Sequence, residues 1–187
     1  MMQSVSKRLL RRLALPALLL PAVLTFAGCA ATVDKNRDAP PLKVPLDASK
    51  NLVFTLTGSQ GSTSSSDWEA FKGAWFGACK AQTEQAGAIF ASTATPPRPG
   101  TGIGTSIVIH VNDYRYLSAG ARYGFGFFTG NAFVDSKVQF RDLSSGNLIG
   151  ERVYNTSSSA WQGVFSAMTE KQLDAICSEI IGEIRAK

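Results

Sequence analysis

The sequence contains few of the side chains from which catalytic and metal sites are built. It has a single histidine, His110, which lies in a predicted strand, and no Ser or Cys nucleophile motif. With only three cysteines beside that histidine, no spacing typical of zinc ligands occurs. The acids Asp113, Asp135 and Asp142 lie near predicted turns or on an exposed strand face, without the spacing of a carboxylate pair. We therefore expect no catalytic residues, no metal and no cofactor, and we interpret the protein as a non-enzyme.

Charged residues are also scarce, at 18% of the 187 residues, whereas hydrophobic residues reach 44%. This composition excludes an intrinsically disordered chain, which requires low hydrophobicity and high charge. A net charge of +5 would ordinarily suggest nucleic acid as a partner. However, residues 1–28 hold four of the 19 basic residues and none of the 14 acidic ones, so the rest of the chain is close to neutral. We therefore expect no nucleic-acid partner.

The first 28 residues have the parts of an export signal. A basic start precedes an apolar stretch from Leu13 to Phe26, which at about fourteen residues is shorter than the roughly 20 needed to span a membrane. No other apolar run is long enough to consider, which excludes a multi-span membrane protein. The stretch ends in Phe26-Ala27-Gly28-Cys29, which resembles the lipobox of bacterial lipoproteins. This resemblance implies cleavage between Gly28 and Cys29 and attachment of acyl chains, such as palmitate, to Cys29.

Lipid on Cys29 would make the membrane the first partner of the protein. Each buried CH2 group contributes about 0.8 kcal/mol, so two or more acyl chains anchor a protein stably. Ala30 follows the cysteine, and by resemblance to sorted lipoproteins a residue other than Asp there favours the outer membrane. We expect a lipid-anchored protein that faces the periplasm. The alternatives are an ordinary secretory signal with a chance cysteine and an uncleaved anchor.

The remaining two cysteines, Cys79 and Cys177, form an even pair in a compartment that is expected to be oxidising. Each lies on the apolar side of a predicted helix, which favours a disulfide between them. The alternative is a pair of buried free thiols, since free cysteine is often buried.

The segment 29–50 mixes charges with three prolines and shows no apolar period, which predicts a lipid-anchored flexible tether. A single α+β domain is expected over residues 51–187. Helical spacing of apolar residues predicts two helices, one opened by a capping box at Ser66 and Glu69 and one over 169–184. Runs at 52–57, 88–94, 105–116, 133–141 and 148–154 predict strands. The order β-α-β-β-β-β-α indicates a mixed, mostly antiparallel sheet of about five strands with two helices on one face.

Three runs of the second half are typical of one known family. They are VNDYR at 111–115, GARYGFG at 120–126 and FRDLSSG at 140–146. Together they resemble an uncharacterised family of bacterial lipoproteins, domain of unknown function 4410, over roughly residues 50–187. The resemblance implies a lipobox followed by a small α+β domain, and it brings no activity and no functional residues.

The most unusual stretch of the domain is the glycine- and aromatic-rich segment 118–131. If its aromatic side chains are exposed, they form a patch suited to protein or lipid contact. The candidate partner-binding residues are Arg122, Tyr123, Phe125, Phe127 and Phe128. The alternative is a wide connection whose aromatic side chains fold back over the core. The apolar run at 161–165 offers a similar choice between covering a sheet edge and binding a partner.

These features predict a non-enzymatic, lipid-anchored envelope protein whose domain contacts a protein partner or the cell wall. The alternative function is a periplasmic module that binds a small molecule or lipid in a pocket between the helices and the sheet. A third, an enzyme, would require His110 to meet an acid or a serine in a cleft.

Overall fold

The computed structural model of the chain describes residues 33–36, 38–116, 132–157 and 168–186. The strands within these residues are β1 Val33–Lys35, β2 Asn51–Gly58, β3 Ile89–Ser92, β4 Thr105–Arg115, β5 Phe133–Asp142 and β6 Leu148–Ser157. The helices are α1 Gln60–Thr63, α2 Trp68–Gln85 and α3 Met168–Arg185. No helix among the described residues is both long and apolar enough to cross a membrane.

All six strands join one mixed sheet in the order β1-β6-β5-β4-β2-β3. Strand β2 runs parallel to β3 and β4, and the other neighbours are antiparallel. The predicted α+β class and element order are therefore confirmed. The described residues add one strand, β1, and one short helix, α1, to the expected five strands and two helices. Both additions are only three or four residues long, which is too short to produce a periodic pattern in the sequence.

The two faces of the sheet differ because side chains alternate along each strand. The inner face is covered by α2 and α3 and carries the apolar residues of the core. Its fully buried members include Phe54, Ile107, Ile109, Val138, Phe140 and Tyr154. The helices contribute the predicted stripes, which are buried in α2 at Trp68, Phe71, Trp75 and Cys79 and in α3 at Leu173, Ile176, Cys177, Ile180, Ile181 and Ile184. The outer face is mainly polar.

A disulfide joins the two long helices. It connects Cys79 of α2 to Cys177 of α3, whose Cα atoms lie 4.9 Å apart, and neither side chain is exposed. The prediction of this bridge is confirmed. Because 98 residues separate the two cysteines, the chain-entropy model gives the bridge a stabilisation of about 4–5 kcal/mol.

The start of α2 differs from the predicted capping box. The residue before the helix is Asp67 rather than Ser66, and its side chain makes no capping hydrogen bond. Instead the Asp67 carboxylate accepts hydrogen bonds from the Ser65 and Tyr114 hydroxyls. A tertiary contact with β4 has replaced the local contact expected from the sequence.

The chain before β2 does not match the predicted flexible tether, insofar as it is described. Strand β1 pairs with β6. Residues 38–50, which we call the strap, pack against the domain, and the Pro40 carbonyl accepts a hydrogen bond from Arg152 of β6. Leu42 and Ala48 of the strap are buried, and the Thr105 hydroxyl donates to the Ala48 carbonyl at 3.0 Å. The described residues 33–36 and 38–50 are therefore part of the folded domain, which was predicted to start near Asn51. The packing of the strap could not be predicted from the sequence, because the strap is an irregular coil. Its buried apolar residues are isolated and do not recur with a helical or strand period.

Candidate functional site

The sheet has two ends that differ in chemistry. At one, which we call the Phe133 end, β4 finishes at Arg115, β5 begins at Phe133, and β1 begins at Val33. At the other, the Leu148 end, β2, β3, β4 and β6 begin and α2 and α3 finish.

Most of the exposed large apolar side chains among the described residues lie at the Leu148 end, distributed across the width of the sheet. Five large hydrophobic residues are exposed in the described part of the chain, and four of them lie here. We call these four the apolar rim: Leu46, 73% exposed, Ile89, 66%, Ile103, 60%, and Leu148, 49%. The fifth, Val153, lies on the outer face and is 36% exposed.

Backbone contacts hold the rim in place. The Asn51 side-chain amide donates to the Ile103 carbonyl at 2.9 Å, and Asn51 is also the strand partner of Ile89. Leu148 follows a hairpin in which Gly146 has a φ of +75°, a conformation that favours glycine. The Gly146 carbonyl accepts a hydrogen bond from Arg141 at 3.2 Å. Hydrogen bonds and strand pairing therefore hold the backbone of Ile89, Ile103 and Leu148 in place.

A small cavity opens beside the rim. It has a volume of about 180 Å³ and lies between the strap and the last turns of α2 and α3, next to Leu46, Leu52 and Ile184. Pockets for small-molecule ligands usually enclose roughly 300–1,000 Å³. This cavity is therefore smaller than a typical ligand site.

A second cavity, of about 330 Å³, lies at the Phe133 end. Its lining includes Asp67, Asp113, Tyr114 and Tyr116. The Tyr114 hydroxyl donates to the Asp67 carboxylate at 2.6 Å. Burial first, and then this hydrogen bond, raise the pKa of Tyr114 to about 12, so the phenol keeps its proton into more alkaline solution than an ordinary tyrosine does. The pair fastens the start of α2 to β4.

A β-bulge in β4 brings Tyr114 to the inner face. Val111 pairs with Ser136 but Asp113 pairs with Asp135, so Asn112 is the additional residue. After this shift Tyr114 faces the helices and stacks on Phe71, with ring centroids 4.0 Å apart.

The same bulge places two acids directly across from each other on the outer face. Asp135 accepts from the Asn112 amide at 3.3 Å, and Asp113 accepts from the Tyr114 backbone at 2.8 Å. The spacing along the sequence did not indicate this proximity. No group of three or more His, Cys, Asp or Glu side chains that could hold a metal occurs among the described residues.

His110 lies on the exposed outer face. Its Nδ1 is 3.1 Å from the Thr57 hydroxyl, and in the strand register it is opposite Lys137. Lys137 itself forms an ion pair with Glu151 at 2.9 Å, as expected for cross-strand charge pairing. The described surroundings of His110 thus contain a hydroxyl and a strand-paired lysine.

Several predicted site residues lie outside the described part of the chain. They are Gly28 and Cys29 of the lipobox and the candidate partner-binding residues Arg122, Tyr123, Phe125, Phe127 and Phe128, together with the run 161–165. Conversely, sequence reasoning missed the apolar rim. The available signal was the presence of isolated large apolar residues in turn-rich segments, such as Ile103 between glycines.

Comparison with known proteins yields similarity of fold. No protein-family model and no curated protein sequence matches the chain. Among solved structures, the PelC dodecamer from Paraburkholderia phytofirmans is similar at 13% identity, covering 84% of this chain and 99% of that one, with a TM-score of 0.50. A PelC variant from the same organism gives 11% identity, coverages of 84% and 98%, and a TM-score of 0.50.

A third similar structure belongs to a family of unknown function. It is a Xanthomonas campestris protein of the domain of unknown function 330 family, at 14% identity over 76% of this chain and 91% of that one, with a TM-score of 0.43. At these identities the likeness concerns the fold alone.

Proposed function

We propose that this chain is a non-enzymatic, lipid-anchored protein of the bacterial outer membrane whose domain binds a protein partner in the periplasm. The lipobox-like sequence ending in Cys29 supports the anchor. The buried disulfide between Cys79 and Cys177 supports an oxidising compartment, where such bonds form and persist. Membership of the domain of unknown function 4410 family is part of this proposal and rests on the sequence runs at 111–115, 120–126 and 140–146.

The observation that carries the partner-binding proposal is the apolar rim. Four large hydrophobic side chains at one end of the sheet remain open to solvent. Covering apolar surface is favourable by about 25 cal/mol per Å², and a protein surface can supply the apolar area that cell-wall glycan lacks. A protein therefore fits the rim better than the cell wall does. PelC occurs as a dodecamer, so another copy of this chain is one such partner.

The alternative of a small-molecule or lipid-binding module requires a deep apolar pocket. The apolar cavity beside the rim is only about 180 Å³. The cavity of about 330 Å³ contains the acids Asp67 and Asp113. Neither of these two cavities is a deep apolar pocket, so among the described residues the apolar rim gives partner binding the stronger support.

Photo-crosslinking in intact cells tests the partner-binding proposal. A photoreactive phenylalanine derivative replaces Ile103 in one variant and Val153, the exposed apolar residue outside the rim, in a matched control. We expect protein adducts from position 103 and several times fewer from position 153. Mass spectrometry of the adducts identifies the partner as a second copy or another envelope protein.

A second rim position guards against local effects of the probe. The same derivative at Leu148 should give the same protein adducts. Adducts with glycan alone would favour the cell wall instead, and absence of adducts at both rim positions would contradict the proposal. A further variant combines Phe125→Ser/Phe127→Ser with the probe at position 103. If the probe forms adducts in the otherwise unchanged chain but not in this variant, the partner is bound by the aromatic segment rather than by the rim.

A further inference from the structure

We propose that the Phe133 end of the sheet faces the membrane and lies at the lipid headgroups, so that the apolar rim points away from the bilayer. This orientation rests on the proposed anchor at Cys29. The described surface that it assigns to the bilayer includes Arg115, Tyr116 and Phe133, with the acids Asp67 and Asp113 beside them.

The length of chain between the anchor and the fold limits the position of the domain. Strand β1 begins at Val33, so residues 29–32 are the entire connection to Cys29. Four extended residues span at most about 14 Å. The first residue of β1 is therefore held close to the bilayer surface once Cys29 carries lipid.

Strand β1 is also fixed firmly to the domain. Val33 pairs with Thr156 of β6, and Lys35 forms ion pairs with Glu179 at 2.6 Å and Glu183 at 3.3 Å. These contacts join β1 to the sheet and to α3. With β1 paired in this way, the connection from Cys29 to the fold ends at Val33.

The direction of β1 selects which end of the domain is near the membrane. Val33 is at the level of Val134 and Tyr114 in the sheet register, and β1 runs from there toward the middle of β6. The chain thus enters the sheet from the Phe133 end. Strand β5 has 10 residues, and at about 3.4 Å per residue the Leu148 end lies roughly 30 Å farther away.

Three of the described side chains at the Phe133 end suit contact with headgroups, although acids lie beside them. Arg115 is exposed, and its guanidinium lies 5.9 Å from the centre of the Phe133 ring. Tyr116 is half-buried and, like Arg115 and Phe133, lines the cavity at this end. Arginine and aromatic residues are typical of the membrane–water boundary, where charged groups reach phosphates and rings lie at headgroup level.

A matched pair of serines allows the orientation to be measured. Ser65 at the Phe133 end and Ser144 at the Leu148 end are both exposed, and each donates to an aspartate two residues away. The protein used comprises residues 29–187, which include every described element. A fluorescent amino acid replaces Ser65 in one variant and Ser144 in the other. Cys79 and Cys177 are bonded and buried, so a maleimide lipid attaches through Cys29.

The lipidated variants are bound to vesicles of phosphatidylethanolamine and phosphatidylglycerol that contain a nitroxide headgroup lipid as quencher. We expect the probe at position 65 to lose several times more fluorescence than the probe at position 144. A water-soluble quencher, applied without vesicles, should affect both probes equally. Two results would overturn the orientation. One is equal quenching of the two probes by the membrane, which is expected for a domain that lies on its β1 edge. The other is stronger quenching at position 144.

The two ends of α3 provide an independent pair. Glu170 and Ala186 are exposed near its start and end, respectively, and stronger quenching is expected at position 170. Because the lipid is attached chemically, these results do not depend on whether cells acylate Cys29. Failure of the orientation and failure of the proposed anchor are therefore distinguishable.

Discussion

Arg152 is a charged side chain in the interior of the domain, with 3% of its surface exposed. Its guanidinium donates to Glu183 of α3 at 2.9 and 3.1 Å and to the Pro40 carbonyl of the strap at 2.7 Å. A buried charge is tolerated only when it is paired and hydrogen-bonded. This one residue therefore ties together β6, α3 and the strap.

The ionisation of Glu183 links this cluster to pH. Burial alone would raise the pKa of the Glu183 carboxyl, but hydrogen bonds from Arg152 and Lys35 outweigh it and hold the pKa below its ordinary value of 4.5. A lowered pKa in the folded state means that the carboxylate stabilises the fold at neutral pH. That contribution is lost as the pH falls below about 4.5 and through the lowered pKa.

We predict that Glu183→Gln lowers the free energy of unfolding by about 3 kcal/mol at neutral pH, because it leaves Arg152 buried without its anion. The difference from the original chain should shrink as the pH falls below the ordinary carboxyl range, where Glu183 itself becomes neutral. Urea denaturation at several pH values measures both effects. Glu179→Gln is the control: this more exposed partner of Lys35 should cost less than about 1 kcal/mol. Equal losses from the two substitutions would contradict the prediction.

Individual elements illustrate how tertiary contacts modify local preferences. In β4, the bulge at Asn112 reverses the alternation of side chains, which allows Tyr114 to stack on Phe71 and to bond Asp67. The alternating pattern alone could not locate this shift, since it depends on the pairing with β5. The contacts of Tyr114 then fasten the start of α2 to β4.

The strap is the element for which sequence and structure differ most. We predict that Leu42→Ala lowers the free energy of unfolding by about 2–5 kcal/mol, the usual cost of removing a buried leucine side chain. Leu42 is 5% exposed and contacts the core, whereas Leu46 in the same segment is 73% exposed. Leu46→Ala is therefore a matched control with an expected change within about 0.5 kcal/mol. Chemical denaturation measures both, and equal, negligible effects would indicate a flexible tether instead.

At the scale of the whole molecule, the proposed anchor and the proposed partner surface lie at opposite ends of the sheet. The chain enters at Val33, and the apolar rim lies at the Leu148 end. The disulfide between α2 and α3 and the buried charge cluster at Arg152 hold the layers between them together. A rigid domain of this form would present the rim at a fixed distance from the membrane.

We predict that the chain isolated from envelopes begins at Cys29 and carries acyl groups there, as measured by intact-protein mass spectrometry. Cys29→Ala should release the domain from the membrane, because the acyl chains provide the anchoring energy. The double variant Cys79→Ala/Cys177→Ala controls for general effects of losing cysteine and should remain membrane-bound. An unmodified chain that starts at Met1 would exclude the proposed anchor.

Much of the fold could be predicted from local patterns. Helical stripes such as Phe71, Trp75 and Cys79 identified α2 and its buried side, and strand alternation identified β4 and β5. The apolar rim could not be recognised in the same way. The exposure of Ile103 depends on whether another part of the folded chain covers it, and periodicity contains no information about covering.

The sequence by itself determined the α+β class, the order of the main elements and the even pair of cysteines, because these depend on residue periodicity and composition. Only the tertiary structure decided that Val33 and the strap belong to the domain and that Tyr114 faces the helices. It also decided that four apolar side chains remain uncovered at one end. These features arise from contacts between residues far apart in the chain, whose geometry is set only when the sheet has formed and the helices have packed on it.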